Sequence, residues 1–183
     1  MPPKQRITRE MILETSFSMF CREGMENVNA RSVAKALGCS TQPIFSYFSG
    51  MGDLKNALEN KAWTCFTQEI SAAVDDAEPL KACSLAYFRF AAEQPHLFCS
   101  LFMTCRSAQE REAIGMNGEL NARMEEAVAE KEGIDSERAK RRCTALRIYA
   151  HGMASLQAVG LLNLTQEEAE CMIESAMKEI EAR

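Results

Sequence analysis

From Pro95 to Arg183 the chain contains no further proline, and over that stretch apolar residues recur at three- and four-residue intervals rather than in alternation. Proline is the residue that most reliably breaks a helix, so so long a stretch without one can form long uninterrupted helices. Composition agrees. The 183 residues include 25 Ala, 22 Glu, 14 Leu and 11 Met but only five Val, nine Ile and eight Thr, so a large sheet would lack its preferred side chains. The expected fold is all-α, with enough chain to bury a substantial core.

The helices can be read in turn. Thr8 is a suitable N-cap for a first helix over 8–22, with Met11, Ile12, Phe17 and Phe20 on its apolar side and Gly24 closing it. Asn29 opens a short second helix, about 30–37, whose stripe is Val33, Ala34 and Leu37 and whose end is Gly38. Ser40 then caps a third, about 41–48, in which Pro43 is tolerated because first-turn amides lack intrahelical partners. Two short helices about a glycine turn, packed on a longer one, make the helix-turn-helix arrangement, and the same spacing suits a plain αα-corner with no ligand. The third helix tips the reading toward DNA. Ile44 and Phe48 face inward, while Thr41, Gln42, Ser46 and Tyr47 are polar groups that can reach base edges or phosphates, with no Glu or Lys among them.

Longer helices follow. Asp53 is a cap for one running to about Val74, Pro79 starts the next over 80–93, and Pro95 starts another to about Arg106. Leu120, Met124, Ala127 and Val128 keep helical spacing up to Gly133. Ser136 opens a pattern reaching Leu162, and Thr165-Gln166-Glu167-Glu168 is a capping box for a last helix to about Glu181. About nine helices result, divided into an N-terminal head, 1–52, and a body, 53–183.

Charge separates these two parts. The head carries six basic against four acidic side chains and the body 15 against 22, within a net charge of −5 for the whole. A basic head on an acidic body suits contact with phosphate at one end only. The apolar runs are too short to cross a bilayer and no secretory leader pattern is present, so a cytoplasmic location is expected, with no membrane partner. Eight scattered cysteines without a C-x-x-C read as small buried hydrophobes in a reducing compartment.

Ile12-Leu13, Met19-Phe20 and Gly24, then Arg31-Ser32-Val33-Ala34, then Gly38-Cys39-Ser40 with Ile44-Phe45-Ser46-Tyr47-Phe48 and Leu54, resemble the first four helices of the TetR-type bacterial transcriptional regulators. Phe88-Arg89-Phe90, Glu93-x-Pro95-x-Leu97-Phe98 and His151-Gly152 resemble pieces of that family's C-terminal domains. The resemblance implies a homodimer, paired through the last two helices, that binds double-stranded operator DNA and releases it when a small-molecule effector enters the body. On that reading Thr41, Gln42 and Ser46 lie nearest base edges. Asn29, Arg31 and Tyr47 hold phosphates with the Lys4/Arg6 arm, and Ser40, Pro43 and Phe45 complete the DNA-binding set. Three departures remove groups the family commonly has: Phe45 replaces a tyrosine, Met51 a lysine and Gln42 a glycine. Fewer phosphate contacts mean a smaller electrostatic share of affinity.

The family's effector cavity lies among the body helices, where Trp63, Phe66, Phe88, Phe98, Phe102, Met103, Met124, Tyr149 and Met153 are the candidate ligand-binding residues. A mainly apolar lining of this kind, with isolated polar groups such as Tyr149 or His151, suits an uncharged or amphipathic compound. Most aromatic and methionine side chains at helical spacing are simply core. No catalytic set, metal site or cofactor is expected: two histidines are too few for a triad or a His-rich centre, and Glu93-x-x-His96 lacks the second copy that a di-iron helix pair needs. A thiol sensor using Cys99 and Cys105, and a helical adaptor that does not use its head, remain open as other readings of the same sequence.

Overall fold

The computed structural model describes residues 7–113 and 118–181, and among these every regular element is helical. Lys4, Arg6 and Met116-Asn117 lie outside the described residues. The order is α1 (Arg9–Glu23), α2 (Ala30–Ala36), α3 (Gln42–Tyr47), α4 (Met51–Val74), α5 (Pro79–Glu93), α6 (Pro95–Phe102), α7 (Ala108–Ala113), α8 (Glu119–Glu132), α9 (Ser136–Ala158) and α10 (Gln166–Glu181). The helix beyond those expected from sequence is α7, a single polar turn and a half with no apolar stripe to reveal it.

The starts of α1 and α2 form as their caps dictate, whereas α3 begins at Gln42 after Thr41 with no side-chain cap from Ser40. Thr8 Oγ1 accepts the Met11 N–H at 3.2 Å. Asn29 Oδ1 accepts the N–H groups of Arg31 and Ser32 at 3.1 and 3.0 Å while Ser32 Oγ accepts the Asn29 N–H, a reciprocal box that fixes the start of α2. Gly38, at φ +65°, turns the chain into α3, and the Cys39 N–H reaches back to the Ala34 carbonyl at 3.0 Å.

Other boundaries differ from the periodicity. Asp53 does not precede α4 but sits inside its first turn, where its carboxylate accepts the Ser49 N–H at 3.0 Å and lets the helix begin at Met51. Helix α6 ends at Phe102 rather than near Arg106, because Arg106 is drawn across to Glu59. Helix α9 ends at Ala158 rather than at Leu162. Gly160 takes φ +74° and the Leu161 N–H bonds the Leu156 carbonyl at 2.8 Å, so the leucines that follow only mimic a continued stripe.

Helix α5 is the hub, packed against α4, α6, α8, α9 and α10. It is accordingly buried on several sides, by Cys83, Ala86, Phe88, Phe90 and Ala91. Helix α1 contacts α2 and α3 on one side and α4 and α6 on the other, so a single core runs from Ile12, Val33, Ile44 and Phe48 in the head to Phe98, Leu146 and Ile173 in the body. Ion pairs tie the outer faces. Lys61 pairs with Glu14 and stands 4.8 Å over the Phe17 ring; Lys81 bridges Glu170 and Glu174 at 2.7 and 2.5 Å; Arg142 holds both Glu132 and Glu181. No helix among the described residues is long and apolar enough to cross a membrane.

Candidate DNA-reading head and effector cavity

The polar side of α3 is open. Ile44 and Phe48 are buried, as their spacing predicts, and they seat the helix so that Gln42, Phe45, Ser46 and Tyr47 are exposed, with Thr41 and Pro43 half-buried at its start. Ser40, Asn29 and Arg31 are exposed on the same head. Each side chain has a defined state. Ser46 Oγ donates to the Gln42 carbonyl at 3.0 Å, and the Tyr47 hydroxyl donates to the Ile7 carbonyl at 3.3 Å, which fixes the ring beside the segment leading into α1. Arg9 stands 4.9 Å over the Phe48 ring, a second tie between α1 and the end of α3. Asn29 Oδ1 is committed to the cap, so the first amides of α2 are already satisfied. Arg31 carries the free charge at this helix end: its N–H serves the cap, while no hydrogen bond or ion pair of its guanidinium occurs among the described residues.

The body holds a cavity of about 460 Å³, within the range of small-molecule sites. Trp63, Phe66 and Ile70 of α4, Leu80, Cys83, Ser84 and Tyr87 of α5, and Phe102 of α6 form one side; Leu120 and Met124 of α8 and Cys143, Arg147 and His151 of α9 form the other. The aromatic rings form one cluster. Trp63 to Phe66, Phe66 to Phe102 and Tyr87 to Phe102 have ring centroids 5.3, 4.9 and 5.3 Å apart. The Tyr87 hydroxyl and His151 Nδ1 are 2.8 Å apart, and His151 Nε2 lies 3.4 Å from Ser155 Oγ. A Tyr87 hydroxyl that donates to Nδ1 leaves Nε2 protonated toward Ser155. Burial holds the Tyr87 phenol well above its ordinary value, so it stays neutral.

Of the residues named from sequence, Trp63, Phe66, Phe102 and Met124 line this cavity. Phe88, Phe98 and Met153 are buried outside the lining, Phe98 directly behind it with its ring against Tyr87, Phe102 and His151. Met103 is exposed just beyond α6, and Tyr149 lies in a separate groove of about 650 Å³ between α9 and α10. Of the polar groups named from sequence, His151 lines the cavity; Cys143 and Arg147, which precede it at successive four-residue steps and so share its face of α9, were missed.

The thiols have no activated member among those that titrate away from the ordinary value. Burial pushes Cys83 up to about 12 and Cys143 up to about 11, and it raises Cys21, Cys65 and Cys99 as well, so at neutral pH these remain protonated and poorly nucleophilic. No cluster of three metal-ligating side chains occurs among the described residues.

A family model described as the tetracyclin repressor-like C-terminal domain matches residues 80–180. The chain is also similar to solved structures along nearly its whole length. A protein of unknown function from Rhodococcus sp. RHA1 aligns with a TM-score of 0.74 at 20% identity, over 98% of each chain. A TetR-like transcriptional regulator from the same source aligns with a TM-score of 0.65 at 16% identity, over 97% of this chain and 99% of that one. The transcriptional regulator FadR from Bacillus subtilis, in complex with stearoyl-CoA, aligns with a TM-score of 0.64 at 12% identity, over 94% and 97%. No curated protein matches.

Proposed function

The chain belongs to the TetR family of transcriptional regulators, and on that premise we propose that it is a homodimeric repressor, released from operator DNA by a small molecule bound in the body cavity. One observation carries the DNA-binding part: Ile44 and Phe48 anchor α3 from beneath while Gln42, Ser46 and Tyr47 remain exposed beside Arg31. In this reading α3 enters the major groove, Thr41, Gln42 and Ser46 lie nearest base edges, and Asn29, Arg31 and Tyr47 sit along the backbone. The two heads of a dimer then read half-sites about 34–36 Å apart or a multiple of that distance.

An unpartnered face supports pairing through α9 and α10. Ile148, Leu156 and Val159 expose 69, 42 and 50% of their surface at helical spacing along α9, and Leu161 follows at 73%. Gly152 lies on the same exposed side, and a Cβ added there would meet nothing within 4 Å. A mid-helix glycine costs roughly 1 kcal/mol relative to alanine, and within one subunit nothing offsets that cost; a second helix crossing closely at this point would. Replacing Leu156 by Glu is therefore expected to turn a dimer into a folded monomer in sedimentation equilibrium. An unchanged dimer would move the interface elsewhere.

Effector release follows from differential affinity. A ligand bound more tightly by the dimer whose heads are misplaced lowers operator affinity by the ratio of its affinities for the two states. The DNA-binding reading is tested by selecting bound fragments from genomic DNA at two salt concentrations. Recovery of a two-fold symmetric sequence is expected, with affinity falling as salt rises. The Gln42→Ala, Tyr47→Ala double variant should lose roughly ten- to hundred-fold in affinity, since one bidentate adenine contact is worth about 1–3 kcal/mol. Identical fragments bound equally by the variant would leave a helical adaptor in place of a regulator.

A further inference from the structure

Among the described residues that line the body cavity, Arg147 is the only one with a permanent charge, and no Asp or Glu lines it. Its Nη1 is buried without a hydrogen-bond partner among the described residues. Arg106 and Arg142 also leave Nε without a partner among those residues, but their terminal nitrogens are paired. Arg106 bonds both oxygens of Glu59, and Arg142 bonds Glu132 and Glu181. A guanidinium left unpaired in an apolar wall is costly, because desolvation is not offset by a counter-charge.

The polar neighbours do not neutralise it. His151 lies one turn further along the same face of α9, but both of its ring nitrogens have partners in Tyr87 and Ser155. The Tyr87 phenol is kept protonated by its burial. Ser84 Oγ donates to the Leu80 carbonyl at 2.8 Å. The rest of the lining adds one uncharged polar side chain, Asn121, to a broad apolar surface that includes Trp63, Phe66, Phe102, Leu120 and Met124.

We propose that the effector is an amphipathic anion, an apolar aromatic or acyl body carrying one carboxylate, and that Arg147 receives that carboxylate. The inference rests on the effector reading above and narrows it from apolar compounds in general to acids. Guanidinium matches a carboxylate through two parallel charge-assisted hydrogen bonds, which neither an amide nor an alcohol of the same skeleton can reproduce. A lipophilic cation would meet an unneutralised positive charge with no acid to receive it.

The chain contains a single tryptophan, and Trp63 lies in the cavity wall, so its fluorescence reports occupancy without a label. The probes are two matched pairs, octanoate with octanamide and 4-butylbenzoate with 4-butylbenzamide, titrated into the full-length wild type and into Arg147→Gln and Arg147→Lys. In the wild type each acid is expected to bind at least tenfold more tightly than its amide. Arg147→Gln should bring that ratio below about threefold while leaving amide binding nearly unchanged, and Arg147→Lys should restore part of the preference. Amides that bind as tightly as the acids, or a preference that survives Arg147→Gln, would overturn the anionic assignment and leave an effector cavity of neutral character. A Trp63 signal unmoved by all four probes would overturn the assignment as well. The operator selection is independent of every one of these outcomes, so the DNA-binding reading stands or falls by itself.

Discussion

Glu59→Ala is expected to lower the stability of the folded chain by about 3–5 kcal/mol, the usual cost of leaving one half of a buried ion pair behind. Arg106 is 9% and Glu59 19% exposed, so neither charge has ready access to water. The guanidinium donates to the two Glu59 oxygens at 2.9 and 3.0 Å and to the Ser100 carbonyl at 2.7 Å, and Ser100 Oγ lies 3.4 Å from the same carboxylate. Alanine at 59 removes the carboxylate that takes two of the guanidinium's hydrogen bonds and leaves it the Ser100 carbonyl, with Glu110 interacting only through space. For a chain of this length each kcal/mol corresponds to roughly 2–4 °C, so the melting temperature should fall by about 6–20 °C. Removing both charges in a Glu59→Leu, Arg106→Met double variant should cost much less than the single change, because the orphaned charge is gone. A single variant within about 1 kcal/mol of wild type would mean that water already solvates the pair. The bridge also pins the segment after α6 to α4, and α6 contacts α1 of the head, so it lies on the route between cavity and head.

Phe98→Ala is expected to cost about 3–5 kcal/mol by a different mechanism, the loss of apolar contacts together with a void that its neighbours only partly fill. Phe98 is fully buried on α6, and its ring packs against Tyr87, Phe102 and His151 with centroids 5.4, 5.1 and 6.1 Å away. Three of the groups that shape the effector cavity thus lean on one side chain behind it. In urea the midpoint should move down with little change in the slope, since the same surface is exposed on unfolding. Phe98→Leu, which keeps more of the volume, should recover more than half of the loss. Should Phe98→Ala shift stability by less than about 1 kcal/mol, the ring would be peripheral and α6 held by its other contacts.

Local chemistry made much of the head legible. Thr8, Asn29 and Gly38 each act on backbone within a few residues, through caps and a positive φ, so the starts of α1 and α2 and the turn into α3 follow from short-range rules. The inward pair Ile44 and Phe48 was equally clear, because a four-residue step puts both on one face. Ends set by distant partners were not. Helix α6 stops where Arg106 meets a glutamate 47 residues earlier, and α7 has no apolar periodicity to betray it.

The cavity separates the two levels further. Trp63, Phe66, Phe102 and Met124 could be named from the sequence because large apolar side chains must be buried somewhere in the body. Phe88, Phe98 and Met153 satisfy the same rule and are buried beside or behind the lining instead. Periodicity assigns a residue to a face of its own helix, whereas a cavity is a property of how five helices meet. The sequence by itself determined an all-helical chain whose reading helix turns Ile44 and Phe48 inward and its polar side outward, since those features arise from interactions within one or two turns. Only the tertiary structure decided that Tyr87 would bond His151 and that Arg147 would have no counter-ion among the described residues, because both depend on which faces of α4, α5, α8 and α9 close on one another.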